Sequence, residues 1–158
     1  MTALVYIGLG ANLGEPAATL ALAVDALAEL PDMRILARSS LYRTAPVNAP
    51  GPDYLNAVLA AETGLAPLDL LRALQAIETA HGRERPYPGA PRTLDLDLLL
   101  YGDACFATPA LTLPHPRLAE RAFVLRPLAE IAPDLVIPGQ GRLGDLLAGV
   151  AQQRIDRL

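Results

Sequence analysis

Apolar and polar positions divide the chain into short segments of two periods. Residues 3–9, Ala-Leu-Val-Tyr-Ile-Gly-Leu, form an apolar run short enough for a buried strand. Gly8, Gly10 and Gly14 then loosen the backbone around Asn12, at a spacing that is not the GxGxxG fingerprint. Pro16 suits the first turn of a helix, Leu20, Val24, Leu27 and Leu30 follow at helical spacing, and Pro31 ends the segment. Residues 33–43 alternate loosely and predict one strand. A Pro- and Gly-rich loop, 44–53, comes next. Residues 54–62 alternate again, with Tyr54, Asn56 and Val58 on one face and Leu55, Ala57 and Leu59 on the other. Pro67 opens a second helix with a stripe of Leu70, Leu74 and Ile77, and Gly82 is its C-terminal stop.

Residues 83–92 read as a loop and 93–101 as a clear strand. A Pro-rich segment to 116 follows, then helices near 117–126 and 142–150. Strand, helix, strand, strand, helix, strand is an α+β order. It predicts a ferredoxin-like βαββαβ sheet with helices on one face, extra C-terminal helices, and one domain over residues 1–158.

Composition narrows the function. The hydrophobic fraction of 52% supports a core, and 19% charged residues with Leu-rich periodic segments argue against disorder. A net charge of −4 argues against binding nucleic acid by bulk charge. All 13 basic residues are arginine, so any phosphate must be held by guanidinium or backbone N–H. The one cysteine, Cys105, rules out an intrachain disulfide and a Cys-rich zinc site, and its apolar surroundings predict a small buried side chain. The start Met1-Thr2-Ala3-Leu4 has no basic signal-peptide character, and no run of about 18 apolar residues exists. A cytoplasmic enzyme without a membrane or nucleic-acid partner is the expectation, and a monomer.

The chemistry centres on Asp95-Leu96-Asp97. On a strand the two carboxylates share a face about 7 Å apart, while Leu94, Leu96 and Leu98 point the other way. Two such charges repel by roughly 2–3 kcal/mol at an effective dielectric of about 20. A divalent cation turns that repulsion into attraction, and Mg²⁺ takes carboxylate oxygens together with phosphate and water. A bare Asp-x-Asp is more often a solvated sheet face than a metal site. The context differs, because Arg83, Arg85 and Arg92 lie just upstream in a loop with Gly89 and several prolines, where arginines and aspartates could form mutual salt bridges or a polyphosphate site. Metal on one side and guanidinium on the other is the division that phosphoryl-type transfer requires. No P-loop motif is present. His115, between Pro114 and Pro116, could donate to a phosphate oxygen, whereas His81 suits a helix end. Tyr54 and Asn56 share the face of the aspartates, and an aromatic ring plus an amide can grip a flat heterocycle, with Phe123 able to stack on it.

These residues together resemble the 6-hydroxymethyl-7,8-dihydropterin pyrophosphokinase family over about residues 3–150. The most specific element is Pro91-Arg92-Thr93-Leu94-Asp95-Leu96-Asp97-Leu98-Leu99. Supporting pieces are Gly10-Ala11-Asn12-Leu13, Tyr42-Arg43-Thr44, Asp53-Tyr54-Leu55-Asn56, Gly82-Arg83-x-Arg85, Pro114-His115 and Arg121-Ala122-Phe123. The resemblance implies transfer of pyrophosphate from ATP to the pterin hydroxymethyl group, with release of AMP. It implies two Mg²⁺ ions on Asp95 and Asp97, with Arg83, Arg92, Asp95 and Asp97 as the catalytic set. Gln75, Glu78, Arg83, Arg85, Arg92, Leu98, Thr112, His115 and Arg121 match nucleotide positions. Thr44, Ala45, Pro46, Val47, Tyr54, Asn56 and Phe123 match the pterin pocket. The loop Arg85-Pro86-Tyr87-Pro88-Gly89-Ala90 lacks the tryptophan that members often carry there. Another Mg-nucleotide transferase on a similar sheet is the nearest competing reading. An RNA-binding module fits poorly with 4% aromatic residues and the negative charge.

Overall fold

A computed structural model describes residues 2–45, 51–81 and 94–158. Strand β1 (Ala3–Ala11) leads to helix α1 (Pro16–Ala28), with Pro16 in its first turn. Strands β2 (Met33–Arg38), β3 (Tyr42–Thr44) and β4 (Tyr54–Thr63) follow. Helix α2 (Pro67–Ala80), again opened by proline, precedes β5 (Asp95–Tyr101). Two short strands, β6 (Phe106–Ala107) and β7 (Thr112–Leu113), form a hairpin. A 3-10 turn (Leu118–Glu120) runs into α3 (Ala122–Ile131). The chain ends with the hairpin β8 (Val136–Ile137) and β9 (Gly141–Arg142), helix α4 (Leu143–Ala148) and β10 (Asp156–Arg157).

The fold is α+β. The main sheet is antiparallel in the order β10-β3-β4-β1-β5, with β2 also paired to β4. The single strand expected over 33–43 is two strands along one edge of β4. At the break, the Ser39 N–H donates to the Val58 carbonyl and the Val58 N–H donates to Ser39 Oγ, each at 2.9 Å. The serine hydroxyl thus takes over a ladder position, and the next N–H, of Ser40, turns away to the Glu130 carboxylate at 3.0 Å.

The expectation of helices on one face needs correction. Leu20, Ala23 and Leu27 of α1 and Leu70, Leu74 and Ile77 of α2 do pack on one face, against Ile7, Leu59, Leu96 and their neighbours. On the opposite face, Val124, Leu125 and Leu128 of α3, with Leu143 of α4, pack on Tyr6, Val58, Ala60, Leu99 and Leu100. The second core forms because those sheet residues are apolar, and each large side chain taken from water contributes about 1.5–3 kcal/mol. The helix expected near 117–126 is correspondingly displaced. It starts at Ala122 and continues through the buried Pro127, because the apolar stripe runs on to Leu128. Cys105 is exposed in the turn region before β6 rather than buried, since that segment stands off both cores. Among the described residues no helix is long and apolar enough to cross a membrane.

Candidate active site

The face that carries α3 is covered at one end only. At the other end β1 offers no side chain, because Gly8 and Gly10 occupy its outward positions. Gly10 is registered between Asn56 of β4 and Asp95 of β5, and Gly8 between Val58 and Asp97. The two glycines form the floor of a cleft of about 890 Å³. A Cβ on Gly10 would lie 3.0 Å from Asn56 Oδ1, so this position has no room for alanine without displacing the amide. A Cβ on Gly8 would meet the Leu99 side chain at 3.5 Å, an ordinary contact.

Tyr54 and Asn56 rise from one side of that floor. Asn56 is buried, and its Nδ2 donates to Thr44 Oγ1 at 2.9 Å across the β3–β4 pair. The amide orientation is therefore set by a neighbouring strand. Asp95 and Asp97 rise from the other side, both half-buried, with Leu94, Leu96 and Leu98 in the opposite core. A one-residue irregularity between β1 and β5 adjacent to Ile7 and Leu98 changes the facing beyond the aspartates. Leu99 and Leu100 both join the α3 core as a result, ending the polar half abruptly.

The wall opposite is the entry to α3. Arg121 and Phe123 line the cleft, and the guanidinium carbon lies 5.3 Å over the Phe123 ring, a cation–π distance. His115 stands beside Asp97, with Nε2 3.9 Å from Oδ1, too far for a hydrogen bond. The Arg117 N–H donates to His115 Nδ1 at 3.2 Å, and the His115 N–H donates to the Leu99 carbonyl at 3.0 Å. With Nδ1 accepting, the neutral ring carries its proton on Nε2, toward the aspartate. Burial lowers the imidazole pKa. Asp97 opposes the shift, and Arg121 and Arg117 add to it. Burial thus favours the neutral ring, whose Nε2–H is a donor.

Eight of the residues anticipated from the sequence line this one cleft: Thr44, Ala45, Tyr54, Asn56, Asp95, Asp97, Arg121 and Phe123. Others do not. Glu78 is buried on the α1–α2 side, where Oε2 accepts the Leu96 N–H at 2.8 Å. Its carboxylate steadies the strand between the two aspartates instead of lining the cleft. The Leu98 side chain is packed in the same core, leaving only its backbone available. Gln75 on α2 and Thr112 on β7 are exposed and away from the cleft lining. Pro46, Val47, Arg83, Arg85 and Arg92 lie outside the described residues, as do Gly82 and Tyr87. Sequence reasoning missed Arg117, Glu120, Gln153 and Arg154 as lining residues, and treated the glycines as a loosened turn. The period-2 pattern of β1 carried the signal for Gly8 and Gly10, which share parity with Tyr6. Gln153 and Arg154 had no local signal, because the fold brings them in from the C-terminal tail.

Among the described residues no three acidic, histidine or cysteine side chains gather as a metal site. Two carboxylates on one strand face fit a cation that arrives with a polyphosphate and completes its shell with phosphate oxygens. The model of 7,8-dihydro-6-hydroxymethylpterin-pyrophosphokinase (HPPK) matches residues 6–133. The chain belongs to the HPPK family. A 2-amino-4-hydroxy-6-hydroxymethyldihydropteridine pyrophosphokinase of Pseudomonas aeruginosa is 48% identical over 155 residues, 98% of this chain and 96% of that one. That of Methylorubrum extorquens is 47% identical over 154 residues, 97% of each. Among solved structures, wild-type Plasmodium falciparum HPPK-DHPS with pteroate matches with a TM-score of 0.76 at 13% identity. The match covers 96% of this chain and 43% of that longer one, and supports the fold alone. As an HPPK, the chain is an ATP-dependent diphosphotransferase that moves pyrophosphate to 6-hydroxymethyl-7,8-dihydropterin in folate biosynthesis.

Proposed function

We propose that the cleft over Gly8 and Gly10 is where the pyrophosphoryl group passes from ATP to the pterin hydroxymethyl oxygen, with AMP leaving. The observation that carries this reading is that Asp95 and Asp97 line the same cleft as Tyr54, Asn56 and Phe123. The flat pterin lies against the two rings, and the Asn56 amide, fixed by Thr44, reads its edge. Ala45 borders the same pocket, and Pro46 and Val47 are proposed to bind the pterin with it. Arg121 and the His115 Nε2–H hold phosphate oxygens from the wall. Arg83, Arg85 and Arg92 complete the grip on the triphosphate. Gln75, Thr112 and the Leu98 backbone are left for the outer part of the nucleotide.

Asp95 and Asp97 hold two Mg²⁺ ions in this reading, and Glu78 keeps their strand in place through Leu96. Bound there, the ions supply positive charge against the oxygens of the transferring group. The antiparallel order β5-β1-β4, continued by β2 and β3, supports a ferredoxin-like core. We take residues 1–158 as one pyrophosphokinase domain, acting as a cytoplasmic monomer without nucleic-acid or membrane partners.

The test is incubation with ATP, Mg²⁺ and the hydroxymethyl pterin, followed by separation of the nucleotides. AMP is the expected product, and ADP in its place would overturn the reading. A second ion requires the rate to keep rising as Mg²⁺ exceeds ATP. A rate that stops rising at equal concentrations would remove it.

A further inference from the structure

The C-terminal tail returns to the cleft through Gln153, well past the residues that the HPPK model matches. Its carboxamide spans the backbone on both sides of Arg121. Oε1 accepts the Ala122 N–H at 2.9 Å, and Nε2 donates to the Glu120 carbonyl at 2.8 Å. Arg121 stands between these groups in extended backbone (φ −122°, ψ 108°), where the 3-10 turn hands over to α3. A helix start leaves N–H groups over, and Arg121, at the N-cap, makes no side-chain cap bond. The Gln153 amide satisfies one such donor and one carbonyl together, which takes a side chain with both functions.

The tail is itself anchored. Strand β10 pairs with β3, the Leu158 N–H donates to the Leu41 carbonyl at 2.9 Å, and Arg157 meets Glu130 at 3.6 Å. Strand β3 also carries Thr44, the partner of Asn56. One segment therefore ties the Arg121 wall to the Asn56 wall.

We propose that Gln153 is a positioning residue for the reaction. It fixes the peptides before and after Arg121 and thereby aims the guanidinium at the ATP phosphates. The inference rests on the phosphate-binding role proposed above for Arg121.

The test uses the full chain with Gln153→Ala and Gln153→Met, each alone and combined with Arg121→Ala. Methionine keeps the bulk of the side chain and removes both hydrogen bonds. Each single variant is expected to raise the KM for Mg-ATP about five- to tenfold with kcat changed by less than about twofold. On the Arg121→Ala background the same substitutions should raise it no further, because a residue acting through Arg121 has nothing left to aim. A purely structural role would give equal increments on both backgrounds, which would overturn the proposal. So would a normal KM in both single variants, or failure of both to fold. Arg121→Ala with a normal KM for Mg-ATP removes the premise instead, and that outcome is read in a different variant.

Discussion

β1, β4 and β5 each contribute to two unlike halves of one sheet face. In the closed half they present Tyr6, Val58, Ala60, Leu99 and Leu100, and α3 packs down on them. In the open half the same strands present Gly8 and Gly10, Tyr54 and Asn56, and Asp95 and Asp97. The strands run on across the boundary, so the difference is made by side chains and by the one-residue irregularity that turns Leu100 to the α3 face. Filled positions draw a helix onto the sheet. Two missing side chains on the central strand leave a trough, and the strands beside it supply an amide and a ring on one bank and two carboxylates on the other. The opposite face, fully packed by α1 and α2, holds that trough rigid from below.

The comparison can be broken first at the carboxylates. Asp97→Ala should lower AMP formation about 10³-fold while the unfolding midpoint stays close to that of the wild type, as for a group that meets developing charge. Near-normal turnover in that variant would return Asp97 to the status of a solvated sheet residue. The closed half should respond in the reverse way. Leu125 of α3 is fully buried against the sheet, and Leu125→Ala should cost about 2–5 kcal/mol in denaturant unfolding while the folded fraction keeps its activity. Loss of activity without loss of stability there would erase the division between the halves.

A smaller effect is expected at the floor. Gly10→Ala places a methyl 3.0 Å from Asn56 Oδ1 and should weaken pterin binding about tenfold, measured by titration, with ATP binding much less affected. The smallest effect concerns the tie between α3 and the sheet edge, where the Tyr42 hydroxyl donates to Glu130 Oε1 at 2.7 Å. Burial pushes the Tyr42 pKa up to about 12, with the hydrogen bond to Glu130 and the charge of that carboxylate adding to it. The folded state therefore keeps a proton that an unfolded tyrosine loses near pH 10. That contribution to stability is complete below about pH 10 and lost as pH rises through about 12. Tyr42→Phe should flatten this alkaline limb in unfolding measured from pH 9 to 12.

The parts of this arrangement that depend on local pattern could be read from the chain. The strand period put Asp95 and Asp97 on one face and Leu94, Leu96 and Leu98 on the other, and prolines marked the starts of α1 and α2. What could not be read depends on contacts distant in sequence. The break at Ser39 exists because Val58 and Glu130 lie there to receive it. Glu78 matched a nucleotide position by its place along the chain, yet its helix turns it into the opposite core. Phe123 and Arg121 were recognisable as residues, but the helix that places them against the sheet was expected near 117–126, whereas it runs from Ala122 to Ile131. The Gln153 bridge joins atoms more than thirty residues apart, and no motif marks it.

The most direct measurement is a crystal structure with Mg²⁺, a non-transferable ATP analogue and the hydroxymethyl pterin bound together. The expected result is both ligands over Gly8 and Gly10, with the pterin between Tyr54 and Phe123 and the phosphates between Asp95, Asp97 and Arg121. Ligands bound away from that trough, or metal density with no contact to Asp95 and Asp97, would contradict it.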